Sequence, residues 1–261
     1  MIMQEWFALA VHAALVAGKA IMEVYAQPFE VYTKDDSSPV TQADLRASDL
    51  IKKMLSVTGL PFVSEEDLPE DRSGYTRYWL VDPLDGTAEF VKHSGEFTVN
   101  IALMDQKQPV MGVVYAPVTD TLWYGGLGHW GVWKPSKGKP LPPLDAPMPH
   151  ETPAPHPFTV LVSRSHRSPE VDQYINTVLR PIHPDLIIDS LGSSLKFARL
   201  AEGSADVYVC YSKTKEWDTA AAEAVLRAAG GEVLRISDGL PLEYHKKAYP
   251  NPPFVAWSRR R

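Results

Sequence analysis

The sequence predicts a mixed α+β and α/β chain built in two halves. Three observations carry this. Apolar runs between residues 78 and 133 recur at close spacing with short polar turns, the signature of an antiparallel meander. Strand-like and helix-like segments alternate between residues 159 and 236, which argues for an α/β arrangement. Between them, residues 134–157 hold nine of the chain's 23 prolines, a density that no regular element tolerates. The expected organisation is an N-terminal half over 1–133, a Pro-rich connection over 134–158 and a C-terminal half over 159–261.

The elements follow in order. Phe7, Val11, Ala14, Leu15, Gly18, Ile21, Met22 and Tyr25 fall on one side of a helix. Glu5, His12, Lys19 and Glu23 interrupt the segment and no basic n-region precedes it, so it reads as a core helix and not as a signal peptide. No apolar run reaches the ~18 residues that a membrane span needs. A polar stretch over Thr33–Pro39 leads to a second helix. Thr41 is suited to cap it, with Asp44 in capping-box spacing, and Ala47, Leu50, Ile51, Met54 and Leu55 give its buried stripe. Gly59-Leu60-Pro61 ends it. Phe62–Ser64 is a short strand running into Glu65, Glu66 and Asp67. The strand Tyr78–Val81 is expected to stop at Asp82-Pro83, where proline withholds an N–H. Strands over 97–104, 110–116, 122–124 and 130–133 complete the meander. In the second half, strands are expected over 159–163, 186–188, 207–210 and 232–236, with helices over 169–179, 194–201 and 219–229.

The chain has 261 residues, 44% of them hydrophobic and 22% charged, enough to bury a real core and close to a globular average. The 26 basic residues against 32 acidic ones give a formal charge of −6. An acidic chain is a poor candidate for general nucleic-acid binding, which depends on neutralising phosphates. The one cysteine, Cys210, excludes an internal disulfide and a Cys-rich zinc module, and fits a reducing compartment. Cys210 reads as a small buried hydrophobe. His12 and the tryptophans, among them Trp123, Trp130 and Trp133, read as packing residues. The run Arg259-Arg260-Arg261 reads as a solvated tail. These features fit a cytoplasmic protein with no stable membrane insertion; a peripheral role at the inner membrane face, and the oligomeric state, stay open.

The informative feature is the placing of the acids. Asp82 and Asp85 are spaced D-P-L-D-G-T at the end of an apolar strand. Gly86 permits a tight turn and close approach of a ligand, and Thr87 adds a hydroxyl. The turn can aim both carboxylates and the Leu84 carbonyl at one point, an oxygen-rich set of the kind hard cations take. The same motif is also a common turn with solvated acids. Asp218, after Glu216-Trp217, reads equally as a helix N-cap.

Four segments together resemble the inositol monophosphatase superfamily of metal-dependent phosphatases: Pro39-Val40-Thr41-Gln42-Ala43-Asp44, Ser64-Glu65-Glu66-Asp67, Trp79-Leu80-Val81-Asp82-Pro83-Leu84-Asp85-Gly86-Thr87, and Trp217-Asp218-Thr219-Ala220-Ala221. Glu89–Lys92, Gly95–Leu103, Gly112–Pro117 and Gly192–Phe197 look like its bacterial 3′(2′),5′-bisphosphate nucleotidase branch. The resemblance covers nearly the whole chain and is weakest in the Pro-rich connection and the last ten residues. It implies a layered αβαβα sandwich with metals between the halves.

By position, the resemblance implies two Mg²⁺ ions. Glu65, Asp82 and the Leu84 carbonyl would hold the first; Asp82, Asp85 and Asp218 would hold the second. A third, looser ion would share Glu65. Thr87 paired with Asp44 would orient and deprotonate the attacking water, beside Glu65. Inhibition by Li⁺ and Ca²⁺ is implied as well. The implied substrate is adenosine 3′,5′-bisphosphate, with the 5′-phosphosulfate form as a second. Gly86 and Thr87 would face the scissile phosphate and Asp218 the leaving oxygen. Ser193 and Ser194 would bind an anion at a helix start, Lys196 would meet the 5′-phosphate, and His166 would line the nucleotide pocket.

Two positions depart from the pattern. Ala88 stands where lysine is common in Asp-Gly-Thr-Lys, and Cys210 stands where Tyr-x-Arg is common. A thiol does not replace a guanidinium fork, which leaves Lys213, Lys215 and Arg164 as substitutes. Two other readings remain: an inositol or sugar monophosphatase of the same fold, and a non-catalytic phosphate-binding regulator.

Overall fold

Small residues on one face decide how closely the first helix meets its sheet. In the computed structural model, which describes residues 2–33, 39–135, 138, 140–143 and 155–259, α1 (Ile2–Tyr25) buries Phe7, Val11, Ala14 and Ile21 as expected. Ala10, Ala13 and Ala17 widen the buried face. The expectation about apolar length needs correction: Met3–Tyr25 is long and apolar enough, by length and composition, to cross a membrane, with half of its most apolar 18-residue stretch buried inside the protein. The interrupting residues Glu5, His12, Lys19 and Glu23 all lie on the exposed side, which is why they leave the apolar face intact.

A two-stranded ribbon, β1 (Val31–Thr33) and β2 (Pro39–Thr41), leads into α2 (Gln42–Leu55). Much of the polar stretch over 33–39, most of the Pro-rich connection, and Arg260 and Arg261 lie outside the described residues. The capping box of α2 is present, and the helix closes through a tight turn over Ser56–Thr58 to Gly59 at φ 67°.

The meander is then β3 (Phe62–Ser64), β4 (Arg77–Asp85), β5 (Thr98–Asp105), β6 (Gln108–Ala116), β7 (Thr121–Gly126) and β8 (His129–Trp133). They form one sheet in sequence order, with β3 parallel to β4 and the rest antiparallel. Strand alternation splits the side chains. Trp79, Val81, Ile101 and Leu103 pack under α1 and α2, while Tyr78, Leu80, Ala102 and Met104 face the opposite side. The short helix α3 (Thr87–Val91), which pattern reading did not anticipate, follows β4.

The second sheet contains β9 (Thr159–Ser163), β10 (Ile187–Leu191), β11 (Val207–Cys210), β12 (Glu232–Arg235) and β13 (Phe254–Trp257), in the order β10-β9-β11-β13-β12. The unanticipated β13 pairs antiparallel with both β11 and β12, so the sheet is mixed. Its outer face is covered by α4 (Pro169–Tyr174) and the wider turn Ile175–Leu179. Between the sheets lie α5 (Leu195–Ala201) and α6 (Glu216–Ala228). The layers therefore run α1/α2, six-stranded sheet, α5/α6, five-stranded sheet, α4: the expected αβαβα sandwich.

Helix α6 sits unusually close to the first sheet. A Cβ at Gly112 would lie 2.0 Å from the Ala221 carbonyl oxygen, and one at Gly125 2.6 Å from the Val225 Cα. Glycine at these positions lets helix backbone lie on strand backbone, which brings the start of α6 down to the end of β4.

Candidate metal centre and active-site cleft

Strand β4 does not stop at Asp82-Pro83. It runs to Asp85 through a bulge: Asp82 pairs with Asn100 and Asp85 with Thr98, three steps along β4 against two along β5. The bulge absorbs the N–H that Pro83 lacks. It also changes which way Asp85 looks. Asp82 shares the face of Tyr78 and Leu80. In a regular strand a residue three further on would face the opposite side. The extra residue returns Asp85 to the middle layer, where it meets Thr98 and Asn100, while the Leu84 side chain packs beneath α1 and α2.

Glu65 arrives from the end of β3, its N–H donating to the Val81 carbonyl at 3.2 Å. Asp218 comes from the middle layer. It is not an N-cap: α6 begins at Glu216, and the Asp218 carboxylate accepts the Lys215 N–H at 2.8 Å from the third helical position. Glu65, Asp82 and Asp218 each place a carboxylate oxygen within 4.8 Å of the other two. Asp85 lines the same cavity outside this trio, with Oδ2 accepting from Ser194 N at 2.6 Å and Asn100 Nδ2 at 3.1 Å.

Such crowding is unfavourable for bare carboxylates. Burial, followed by the charges of Glu65, Asp85 and Asp218, pushes the Asp82 carboxyl well up. Asp218 is pushed up by burial and then by Asp85 and Glu65. Asp85 rises to about 6, with burial opposed by Lys196 and the Ser194 N–H. A half-buried all-oxygen cluster whose aspartates resist ionisation is what a hard divalent cation relieves. The residues fit such an ion.

Beside the trio, Thr87 Oγ1 donates to Asp44 Oδ1 at 3.0 Å and lies 3.2 Å from the Leu84 carbonyl. The other Asp44 oxygen accepts Thr41 N at 2.8 Å and Thr41 Oγ1 at 2.7 Å. Burial raises the Asp44 carboxyl, against these hydrogen bonds. The turn before Thr87 depends on Gly86, at φ 93°, where a Cβ would lie 3.0 Å from the Glu96 carbonyl.

A cavity of about 830 Å³ opens over these groups, lined by Glu65, Asp82, Leu84, Asp85, Gly86 and Thr87 and, farther out, by His166, Ser193, Ser194, Lys196, Lys213, Lys215 and Asp218. Some expected substrate contacts are occupied within the protein. The Ser194 N–H, expected to face an anion, donates to Asp85; its hydroxyl bonds to Asn100 and Thr98 at 2.8 Å each. Lys196 is buried, and its Nζ donates to the carbonyls of Ser193 at 2.6 Å and Leu191 at 3.1 Å. Burial also lowers its pKa. Lys196 therefore secures the 191–193 loop. Arg164 is bound bidentately to Glu96 at 2.6 and 2.7 Å. Cys210 lies in the inter-sheet core, its thiol pushed up by burial. His166 lies exposed at the rim. Sequence reading missed Thr98 and Asn100, which hold Asp85; the alternation Thr98, Asn100, Ala102 along β5 was the available signal.

Comparisons with known proteins agree with this geometry. The model of the inositol monophosphatase family matches residues 2–259. The chain is 43% identical to the 3′(2′),5′-bisphosphate nucleotidase CysQ of Escherichia coli K12 over 247 residues, covering 91% of this chain and 94% of that one. It is 32% identical to the CysQ of Haemophilus influenzae, covering 93% and 88%. The crystal structure of CysQ from Bacteroides thetaiotaomicron is similar with a TM-score of 0.85 and 38% identity, covering 97% of each chain. The suhB protein of Bartonella henselae is similar at 0.76 and 25% identity, covering 97% and 94%. With the layered fold, the carboxylate trio and these matches in agreement, the chain belongs to the inositol monophosphatase family.

Proposed function

We propose that this chain is a Mg²⁺-dependent phosphatase that hydrolyses the 3′-phosphate of adenosine 3′,5′-bisphosphate, releasing adenosine 5′-monophosphate and inorganic phosphate, with the 5′-phosphosulfate form as a second substrate. The observation that carries the reading is the approach of Glu65, Asp82 and Asp218 within 4.8 Å beside the Thr87–Asp44 pair, in a chain 43% identical to a bisphosphate nucleotidase. The compartment proposed is the cytoplasm.

Glu65, Asp82 and the Leu84 carbonyl would hold one ion, and Asp82, Asp85 and Asp218 a second, with Glu65 shared by a third. When bound, these cations supply charge stabilisation and a more acidic water. The protein's own groups do the rest. Thr87 Oγ1 takes a proton from the attacking water as its own proton passes to Asp44 Oδ1. The water oxygen bonds to phosphorus as the P–O bond to the ribose oxygen breaks, and that oxygen takes a proton from a second water beside Asp218. In-line geometry is a matter of orientation, and the turn at Gly86 sets it by letting the phosphate approach backbone. Lys213 and Lys215 line the outer cavity, Lys213 exposed and Lys215 close enough for its charge to favour the ionised Asp218 carboxylate. They are the groups proposed for the second phosphate in place of arginine at 210.

Ala88 and Cys210 favour a second reading, a monophosphatase for inositol or sugar esters. A substrate panel at fixed Mg²⁺, with a chelated control, separates the readings. The bisphosphate should turn over well above inositol 1-phosphate, and chelation should abolish both activities. A strong preference for the inositol ester overturns the nucleotide reading, and no turnover of any ester leaves the regulator reading.

A further inference from the structure

We infer that Arg72 and Glu216 are positioning residues, whose buried ion pair sets the spacing between Glu65 and Asp218. The inference rests on the metal-dependent reading above. The Arg72 and Glu216 side chains are 7% and 0% exposed, with Nη1 2.7 Å from Oε2. Arg72 belongs to the β3–β4 loop, which begins with Glu65. Glu216 opens α6, two residues before Asp218. Residues i and i+2 of a helix face different sides, so Glu216 looks back toward the loop while Asp218 looks into the cavity.

The pair is tied to a third segment. Glu216 also accepts from Lys246 Nζ at 2.9 Å, Lys246 N at 3.0 Å and His245 N at 3.1 Å. Arg72 Nη2 donates to the Lys246 carbonyl at 2.6 Å, and its guanidinium lies 4.0 Å from the Tyr249 ring centre. That ring packs on Trp217 at 4.9 Å, and Asn251 Nδ2 donates to the Lys215 carbonyl at 2.7 Å. The segment 245–251 thus grips the start of α6, and Arg72 joins this grip to the loop that carries Glu65. A buried ion pair adds little net stability over well-packed apolar side chains. What this one supplies is a fixed distance between acids contributed by separate halves of the chain.

Mn²⁺ titrated calorimetrically without substrate tests the inference. The proteins are the wild type, Arg72→Met, Arg72→Lys, and Leu179→Ala as a destabilised control in the outer layer. Arg72→Met should bind Mn²⁺ about 10-fold or more weakly, the range found when groups supporting metal ligands are removed, and Arg72→Lys should recover part of the loss. Leu179→Ala should lower the melting temperature and leave Mn²⁺ affinity unchanged. Wild-type affinity in Arg72→Met, or an equal loss in Leu179→Ala, overturns the positioning role. Absence of Mn²⁺ binding by the wild type overturns the metal-dependent reading itself. If Arg72→Met does not fold, Glu216→Gln removes the ion pair while keeping a side chain of the same shape; unchanged Mn²⁺ affinity in that variant also overturns the role.

Discussion

Thr87 Oγ1 donates a hydrogen bond to Asp44 Oδ1 at 3.0 Å, joining residues 43 positions apart in the chain. Asp44 belongs to the capping box of α2, so one carboxylate both caps the start of a helix and accepts the hydrogen bond of the Thr87 hydroxyl. Asp44→Asn keeps a group of the same shape and removes the base. Turnover should fall about 10²- to 10⁴-fold, the usual range for a lost general base. Stability should fall by about 1 kcal/mol, the net worth of one hydrogen bond, since the asparagine oxygen can keep the Thr41 contacts. Steady-state kinetics with a denaturation curve checks both; undiminished turnover removes the Thr87–Asp44 role.

The acid cluster makes stability depend on pH in opposite senses with and without cations. The carboxyls of Asp82, Asp85 and Asp218 are raised in the folded protein, Asp85 to about 6, against about 4 for free aspartate. The folded state therefore binds more protons, and this contribution is complete below about pH 4 and lost as pH rises through the folded values. Buried Glu223, raised to about 7, acts in the same sense. In chelator, melting temperature should fall by several degrees from pH 5 to pH 7.5, at about 2–4 °C per kcal/mol for a chain of this size. Mg²⁺ should reverse the trend, because it requires ionised ligands. Asp82→Asn should be more stable than the wild type in chelator at pH 7.5, gain little from Mg²⁺, and lose turnover with the fold intact. A wild type that melts at the same temperature at both pH values would remove the cluster argument.

Lys213 and Lys215 should decide preference between one phosphate and two. Replacing both with alanine should raise KM for adenosine 3′,5′-bisphosphate about 10-fold or more, on the scale of about 1.4 kcal/mol per decade. Hydrolysis of inositol 1-phosphate should change much less. Equal effects on both esters would place the lysines outside substrate selection.

Gly112→Ala tests the contact that seats α6. The added Cβ would meet the Ala221 carbonyl oxygen at 2.0 Å, a backbone atom with no rotamer to move it aside. Overpacking of this kind costs about 1–3 kcal/mol or more. Asp218 rides on the same helix, so Mg²⁺ half-saturation should rise together with the loss of stability. A variant with unchanged melting temperature would mean that the helix is free to shift.

Much of this protein was decided locally and is therefore legible in the sequence. The stripe of α1, the Thr41–Asp44 cap, the meander and the alternating second half all follow from periodicity and short-range hydrogen bonding. The acids Glu65, Asp82, Asp85 and Asp218 are picked out by their motifs in combination, while Asp218 taken alone reads as a helix cap. What the tertiary structure alone decided is direction and occupancy. The bulge at Pro83 turns Asp85 to the face of Asp82. The packing of α5 gives the Ser194 N–H to Asp85 and the Lys196 ammonium to two carbonyls. The Arg72–Glu216 pair joins segments 144 residues apart. Side-chain direction in a strand flips with a single inserted residue, and a hydrogen-bond donor has a partner only once distant segments are packed, so neither can be read along the chain.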